Sequence, residues 1–264
     1  DGGAAADGAE GVGRIKGMLV LSLFPGIGLL DMAFEEEGFC VVRGPDLLWG
    51  GDIRRFHPPA GRFDGVIGGP PCQAFSRLKY LVEHNGYELA PNMFPEFERV
   101  IAAAAPAWFL CENVPDAPRP TVPGYIVRDR LVSNREDCGG EQSRERRFSL
   151  GTKDGRELTL DWPPPPVPMK YVPAVCASGG GRETPVAIGG SGKPKHSIRK
   201  ARDMGYKTAD FMRHAIEAQG LPAGFLDDAP FTVAGKIKMV GNGVPLTMGR
   251  VIARAVRRAF GAAA

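Results

Sequence analysis

The sequence predicts an α/β fold, a doubly wound and mostly parallel sheet with a small loop-rich lobe added to it. Short apolar runs that end at glycine or proline alternate with amphipathic stretches between residues 18 and 150, which is typical of strands followed by helices. The alternation stops at Pro163–Pro166, a run of four prolines that cannot lie in a central strand. We therefore predict a main domain over residues 18–162, a small lobe over 163–230, and a C-terminal segment, 231–264, that returns to the main domain.

The first strand is predicted over Met18–Phe24, an apolar run rich in leucine and valine that ends at Pro25. The next predicted elements, in order, are a helix over Leu29–Glu37, strands over Phe39–Val42 and Phe63–Ile67, a helix over Glu96–Ala105, strands over Trp108–Cys111 and Arg147–Leu150, and a helix over Leu246–Phe260. Between residues 177 and 195 glycine, serine and proline are frequent without a regular period, which predicts irregular loops in the small lobe.

The bulk composition is that of an ordinary globular protein, because 43% of the 264 residues are hydrophobic and 24% are charged. No apolar run approaches the roughly 18 residues that a membrane-spanning helix needs, so we expect no membrane contact. Residues 1–17 are rich in glycine and alanine and lack the basic end and apolar centre of a secretory signal. We interpret them as a disordered leader or tag, with Met18 as the natural start.

The five cysteines are scattered and form no Cys-x-x-Cys pair, so the sequence predicts neither a zinc site nor a disulfide framework. A reducing cytoplasm suits this pattern and leaves a cysteine free to act as a thiolate. The net charge is only +3, but basic residues cluster at 128–147 and 193–207. Such clusters hold phosphate groups in some proteins and are solvated surface in others, so alone they do not decide for a nucleic-acid partner.

A glycine-containing turn, Phe24-Pro25-Gly26-Ile27-Gly28, joins the first predicted strand to the first helix. A turn of this kind lets a cofactor approach the backbone next to a helix N-terminus. A single Gly-x-Gly also occurs in tight structural turns. The dinucleotide fingerprint Gly-x-Gly-x-x-Gly is incomplete, because Asp31 stands where its third glycine would fall, and a nicotinamide cofactor is therefore disfavoured.

A second loop, Gly68-Gly69-Pro70-Pro71-Cys72-Gln73, follows another predicted strand. Its cysteine is placed just beyond the carboxyl end of that strand, at the edge where open α/β sheets bind their ligands. Two glycines and two prolines give the loop a defined path. An isolated cysteine is most often inert, but this context favours a functional thiol.

These two loops and three later segments together resemble the DNA cytosine-5 methyltransferase family. The segments follow the order of the family's motifs and are Phe24-Pro25-Gly26-Ile27-Gly28, Gly69-Pro70-Pro71-Cys72-Gln73, Glu112-Asn113-Val114, Gln142-Ser143-Arg144-Glu145-Arg146 and Gly241-Asn242-Gly243-Val244-Pro245. The stretch from Arg213 to Pro222 is similar to the family's arginine-containing helix that ends in Gly-x-Pro. The resemblance covers residues from Met18 to Phe260, and it implies a Rossmann-like enzyme that methylates cytosine.

The resemblance assigns the chemistry to four residues, Cys72, Glu112, Arg144 and Arg146. The Cys72 thiolate is expected to add to carbon 6 of cytosine, which makes carbon 5 able to attack an activated methyl group. Glu112 is expected to hold or donate a proton at ring nitrogen 3, and Arg146 is expected to hold the cytosine O2. Arg144 is expected to support the loop or a phosphate.

The resemblance also implies S-adenosylmethionine as the cofactor. The expected cofactor-binding residues are Phe24, Pro25, Gly26, Gly28, Leu29, Asp46, Asp52, Ile53, Pro70, Asn242 and Val244. Of these, Asp46 is expected to hold the ribose hydroxyls and Asp52 to lie beside the adenine. The segment between the second and third strands is short for the family, so we expect the usual helix to be missing there.

The expected partner is double-stranded DNA, whose target base must be swung out of the stack to be reached. The expected DNA contacts are Gln73, Ser76, Arg77, Lys79, Arg199 and Lys200. We expect a cytoplasmic monomer that binds no metal. Two alternatives stay open: the same reaction on tRNA, although the Cys-Phe-Thr tripeptide usual in that branch is absent, and a DNA-binding relative without catalysis, which the short lobe would suit.

Overall fold

A computed structural model of the chain describes residues 17–71, 91–170, 172–174 and 208–261. The strands within these residues, in chain order, are β1 (Leu19–Leu23), β2 (Cys40–Arg43), β3 (Gly65–Gly68), β4 (Trp108–Asn113), β5 (Ile126–Ser133), β6 (Gln142–Ser143), β7 (Glu145–Thr152) and β8 (Val172–Pro173). They form a six-stranded sheet with the order β2-β1-β3-β4-β7-β5 and a separate two-stranded sheet of β6 and β8.

The six-stranded sheet is mostly parallel. Strands β2, β1, β3 and β4 run in one direction, whereas β7 is antiparallel to both of its neighbours, β4 and β5. Because β1 lies between β2 and β3, the strand order reverses beside β1, and open α/β sheets bind their ligands at the carboxyl ends of the strands at such a reversal. The sheet confirms the predicted fold class.

Helices cover both faces of the sheet. Their bounds are α1 (Leu29–Glu36), α2 (Phe94–Ala104), α3 (Thr208–Ala218), α4 (Val233–Asn242) and α5 (Leu246–Phe260). On one face, Phe34 of α1 and Val251 of α5 are buried against Trp108 of β4. On the other face, Phe97 of α2 packs against Phe109, the next residue of the same strand. Successive strand residues point to opposite faces, so β4 contributes to both cores.

Most of the predicted elements are present, with bounds that differ by a few residues. Helix α5 has the predicted bounds, Leu246–Phe260, because its apolar residues recur with a clear helical period. Between β2 and β3 there are two short 3₁₀ helices, Leu47–Trp49 and Ile53–Arg55, so the α-helix expected to be missing is indeed absent from this described stretch. Strand β5 was not predicted from the sequence.

Helices α3 and α4 pack against α1, the helix that follows the glycine turn. Ala215 and Ile216 of α3 are buried together with Leu29 of α1 and Val240 of α4. The predicted division into main domain, small lobe and C-terminal segment stays a prediction. No helix in the described part of the chain is both long and apolar enough to cross a membrane.

Candidate functional site

A cavity of about 390 Å³ opens at the carboxyl ends of β1, β3 and β4. Its volume falls within the range of roughly 300–1,000 Å³ that small-molecule sites occupy. Among its lining residues are Phe24, Gly26, Ile27, Asp46, Asp52, Ile53, Pro70, Pro71, Glu112, Asn113, Arg146 and Asn242. The cavity therefore brings together residues from all five sequence segments that carry the family resemblance.

The glycine turn forms one wall of this cavity. Phe24 has a φ of 55°, in the left-handed region that favours glycine, and it is followed by Gly26 at 57° and Gly28 at 79°. Strained backbone of this kind persists where the surrounding structure enforces it, and it is common at ligand sites. At Gly28 a Cβ atom would lie 2.7 Å from the flexible Arg43 guanidinium, which could shift, so it is the positive φ that favours glycine there.

Asp46 and Asp52 occupy a second wall, in the short segment between β2 and β3. The Oδ2 atom of Asp46 accepts the Gly26 N–H at 2.8 Å, and its Oδ1 atom accepts the Leu48 N–H at 2.8 Å. Asp52 is paired with Arg54 at 2.7 Å, and the hydrogen bonds from Arg54 lower the pKa of the Asp52 carboxyl. Both carboxylates are thus fixed at the rim of the cavity by their neighbours.

Glu112 and Arg146 form an ion pair in the lining of the cavity. Arg146 Nε lies 2.8 Å from Glu112 Oε1, and the two side chains are only 17% and 13% exposed. Gly69 lies beside the pair, where a Cβ atom would come within 2.9 Å of Glu112 Oε2. The absence of a side chain at position 69 is what leaves room for the carboxylate.

Asn113 connects the end of β4 to the loop that leads to Cys72. Its buried side-chain amide donates to the carbonyl oxygen of Pro70 at 2.9 Å, and its Oδ1 atom accepts the Val114 N–H. Pro70 and Pro71 both line the cavity. The residues just before Cys72 in the chain are therefore fixed to the end of β4 by a hydrogen bond.

Cys72 itself lies outside the described residues, as do all six predicted DNA contacts. Those are Gln73, Ser76, Arg77, Lys79, Arg199 and Lys200. Among the described cysteines, Cys111 and Cys138 are buried, and burial raises the pKa of Cys111 well above its usual value and that of Cys138 to about 12. Neither suits nucleophilic attack at neutral pH, because the thiolate is the reactive form.

Arg144 is buried and bonded to the C-terminal part of the chain. Only 4% of the residue is exposed, and its guanidinium donates to the carbonyl oxygen of Gly241 at 2.9 Å. This bond ties the β6–β7 region to α4, which carries Asn242, and so favours support of the backbone over contact with a phosphate. The role of Arg144 stays a prediction.

A smaller cavity of about 90 Å³ adjoins the main one and is lined by further residues that were predicted to bind the cofactor. Pro25, Leu29, Asn242 and Val244 line it, together with the buried Asp31. Burial raises the pKa of Asp31, which accepts a hydrogen bond from Ser22.

Glycine is also required where the C-terminal segment meets α1. A Cβ atom at Gly243 would lie 2.4 Å from Leu29 Cδ1. The lack of a side chain at this position therefore lets the segment with Asn242 and Val244 lie directly against the first helix.

Several residues of the site were missed by sequence reasoning. Phe231, Lys238 and Met239 line the main cavity, and buried Gln219 donates to the carbonyl oxygen of Gly243 at 3.0 Å. Only the proximity of Lys238 and Met239 to the Gly-Asn-x-Val-Pro segment could have suggested them. The described residues contain no group of three histidine, cysteine or acidic side chains arranged to hold a metal ion.

Comparison with known proteins agrees with this geometry. The family described as C-5 cytosine-specific DNA methylase matches residues 50–120. The chain is 32% identical over 178 residues to the type II methyltransferase M.FnuDI of Fusobacterium nucleatum, which covers 56% of this chain and 51% of that protein. It is 28% identical over 177 residues to M.NgoPII of Neisseria gonorrhoeae, covering 55% of this chain and 51% of the relative. The chain thus spans about half the length of the curated relatives it matches.

The fold is shared with solved methyltransferase structures. The crystal structure of S. pombe Dnmt2 methyltransferase superposes with a TM-score of 0.57 at 13% identity, over 93% of this chain and 100% of that one. The Entamoeba histolytica methyltransferase EhMeth gives a TM-score of 0.55 at 14% identity, over 92% and 99%. The chain therefore shares the α/β fold of these structures. Residues 50–120 match the C-5 cytosine-specific DNA methylase family, and about half of the chain is similar in sequence to type II methyltransferases.

Proposed function

We propose that this chain transfers a methyl group from S-adenosylmethionine to carbon 5 of cytosine in double-stranded DNA. One observation carries the proposal: most of the residues expected to hold the cofactor line a single cavity of about 390 Å³ together with Glu112 and Arg146, which are expected to act on the base. Phe24 and Asp46 lie on its cofactor side, and Glu112 and Arg146 on its base side. A cofactor and a substrate that share one cavity can be held within reach of each other.

The lining of the cavity fits the cofactor. S-adenosylmethionine combines an aromatic base, a ribose with two hydroxyls, and a charged amino-acid end. Phe24, Ile27 and Ile53 offer apolar surface for the base, and the Asp46 carboxylate has lone pairs left after its two backbone contacts for accepting hydroxyl protons. When bound, the cofactor supplies the methyl group as an electrophile on its sulfonium.

Cys72 supplies the nucleophile in this proposal. Its thiolate forms a bond to carbon 6, and the electrons of the carbon 5–carbon 6 double bond make carbon 5 nucleophilic toward the methyl group. A water molecule then takes the carbon 5 proton, and the electrons of that bond re-form the carbon 5–carbon 6 double bond and expel the Cys72 thiolate from carbon 6. The anchored Pro70–Pro71 segment supports this role, because it leads directly from the cavity wall to Cys72.

Glu112 and Arg146 act on the pyrimidine in this proposal. As the sulfur adds to carbon 6, negative charge develops on the ring, and a proton held by Glu112 at nitrogen 3 neutralises it. Arg146 donates to the cytosine O2 and keeps the ring plane fixed. The Gly69 position leaves the Glu112 carboxylate free of backbone crowding on the side of the loop.

Double-stranded DNA is the proposed substrate because the matching family is described as cytosine-specific DNA methylase. A base inside a duplex is inaccessible, so the proposal includes extrusion of the cytosine into the cavity. The six predicted DNA contacts and the small lobe remain expectations from the sequence. A monomeric enzyme suffices for this reaction, since every assigned residue belongs to one chain.

The proposal is tested by incubating the purified chain with tritium-labelled S-adenosylmethionine and, in parallel, unmethylated duplex DNA or tRNA. We expect label in the duplex, recovered as 5-methylcytosine after nuclease digestion and chromatography. Label in tRNA alone would contradict the DNA assignment and favour the RNA alternative. Retention of duplex DNA without any transfer would indicate the non-catalytic relative.

A further inference from the structure

The segment between β2 and β3 places an indole against the glycine turn. Trp49, the last residue of the first 3₁₀ helix, is 58% exposed as a whole, yet its Nε1–H donates to the carbonyl oxygen of Gly26 at 2.7 Å. Tryptophan often combines an apolar contact with one polar bond at a partly exposed site. Here that one bond is made to the turn that lines the cavity.

The backbone around Trp49 is held in place by Asp46. The N–H groups of Trp49 and Gly51 both donate to the Asp46 carbonyl oxygen, at 3.0 and 2.9 Å. Gly50 between them has a φ of 80°, which closes the loop on itself. The backbone that carries the indole is therefore held by bonds within its own loop.

The same loop holds Gly26 from two directions. The Gly26 N–H donates to Asp46 Oδ2 at 2.8 Å, and the Gly26 carbonyl accepts the Trp49 indole N–H. Both backbone polar groups of this glycine are thus satisfied by a segment twenty or more residues further along the chain. A glycine with a φ of 57° has wide conformational freedom, and these two bonds restrict it.

The other side of the indole contacts the C-terminal part of the chain. The ring centroids of Trp49 and Phe231 are 5.5 Å apart at an interplanar angle of 63°, a favourable edge-to-face arrangement. Phe231 lines the main cavity and directly precedes Thr232, the residue that caps α4. Helix α4 in turn carries Asn242 to the cavity. Trp49 thus contacts both the glycine turn and the residue that leads into the C-terminal wall of the cavity.

We propose that Trp49 is a positioning residue for the cofactor: by bonding Gly26 and packing against Phe231, it fixes two walls of the cavity at the spacing that S-adenosylmethionine requires. This inference rests on the proposed function. It assigns to Trp49 no contact with the DNA base. Its loss therefore weakens cofactor binding and leaves the chemical step intact once the cofactor is bound.

The experiment compares wild type with Trp49→Phe, which keeps an aromatic ring and removes the N–H donor. Dissociation constants for S-adenosylhomocysteine are measured by titration calorimetry. We expect a rise of about three- to tenfold, the effect of losing one hydrogen bond. The KM for S-adenosylmethionine rises by a similar factor, whereas kcat at saturating cofactor stays at the wild-type value. Phe231→Leu, which removes the ring contact, is expected to give a smaller rise in the same constant.

Trp162→Phe is the matched control, because Trp162 is 89% exposed and does not line the cavity. The dissociation constant of Trp162→Phe for S-adenosylhomocysteine should equal that of wild type. All variants should unfold at similar temperatures. A wild-type constant in Trp49→Phe, or weakened DNA binding in place of weakened cofactor binding, would overturn the inference alone. Failure of the wild-type chain to bind S-adenosylhomocysteine would overturn the proposed function and this inference with it.

Discussion

Arg146 and Glu112 form an ion pair across two antiparallel strands, with 2.8 Å between Nε and Oε1. In the register of β4 and β7, Glu112 is opposite Phe148, so Arg146 is its diagonal neighbour two residues away on the same face. A central sheet thus fixes the spacing of the two groups that we assign to the pyrimidine. Groups held on strands are positioned more rigidly than groups on loops.

Replacing Glu112 with Gln is expected to reduce methyl transfer by about 10²- to 10⁴-fold, because the amide cannot hold and release a proton at nitrogen 3. Binding of S-adenosylhomocysteine should change little. Glu96→Gln is the matched control, since Glu96 forms a similar 2.8 Å pair with Arg99 outside the site. Initial rates of tritium transfer to duplex DNA measure the effect. Equal activity in Glu112→Gln and wild type would contradict the assigned role.

Replacing Gly69 with Ala tests whether the carboxylate needs the space beside it. The new Cβ atom would lie 2.9 Å from Glu112 Oε2, so the carboxylate must shift from its position in the pair with Arg146. We expect at least about a tenfold loss of kcat, because small displacements of a catalytic group are costly. Gly61→Ala has open space but a φ of 67°, so it should lower stability and leave kcat unchanged. A wild-type kcat in Gly69→Ala together with a lowered kcat in Gly61→Ala would show that crowding at Glu112 is unimportant.

Replacing Arg144 with Met tests whether this residue supports the backbone or contacts a phosphate. The variant loses the hydrogen bond to the Gly241 carbonyl in a buried setting, and we expect the free energy of unfolding to fall by about 1–3 kcal/mol in urea denaturation. The salt dependence of DNA binding should stay the same, because no phosphate contact is removed. Arg130→Ala, at an exposed position of β5, is the control for stability. If the slope of the logarithm of the DNA-binding constant against the logarithm of the salt concentration falls by about one in Arg144→Met, Arg144 contacts a phosphate.

Asp161 is expected to stabilise the fold in a pH-dependent way. It accepts hydrogen bonds from Arg254 and Arg258 of α5, at 3.1 and 2.6 Å. Although partial burial raises the pKa of Asp161, these bonds outweigh it and hold the pKa below the ordinary value of 3.8. The ionised form is therefore favoured in the folded state, and its contribution is complete above pH 3.8 and is lost as the pH falls through the lower folded-state pKa.

Asp161→Asn should accordingly lower the free energy of unfolding by about 1 kcal/mol or less at pH 7, since the pair is partly solvated. The difference from wild type should shrink below pH 3.8. Urea unfolding at a series of pH values measures both. Asp154→Asn, which removes a more exposed pair with Arg156, should have a smaller effect. A difference that grows toward acid pH would contradict the sign of this argument.

The sequence predicted the architecture and much of the site because the relevant signals are local. The helical period of Leu246–Phe260 defines α5, and the glycine and proline loops mark the ends of β1 and β3. Strand β5 gave no such signal, because it lies at the edge of the sheet and most of its residues are exposed. An alternation of apolar and polar residues is absent where neither face is buried.

Other features could not be read from the sequence because they depend on distant parts of the chain. Residue type alone does not distinguish a buried Arg144 from a surface arginine. The contact of Trp49 with Phe231 joins segments from opposite ends of the chain, and neither residue belongs to a motif. Asp46 was expected at the cofactor, but its bond to the Gly26 N–H, which orients the carboxylate, is visible only in the fold.

The central claim is that Cys72 bonds to carbon 6 of the target cytosine, and one trapping measurement tests it most directly. Duplex DNA containing 5-fluorocytosine is incubated with S-adenosylmethionine and the chain, because fluorine at carbon 5 cannot leave as a proton does and the sulfur–carbon bond persists. We predict a denaturation-resistant protein–DNA adduct whose mass and peptide map place the bond at Cys72. The adduct should form with Cys40→Ser, which changes an exposed cysteine on β2, and should be absent with Cys72→Ser. An equal yield of adduct with Cys72→Ser would contradict the account.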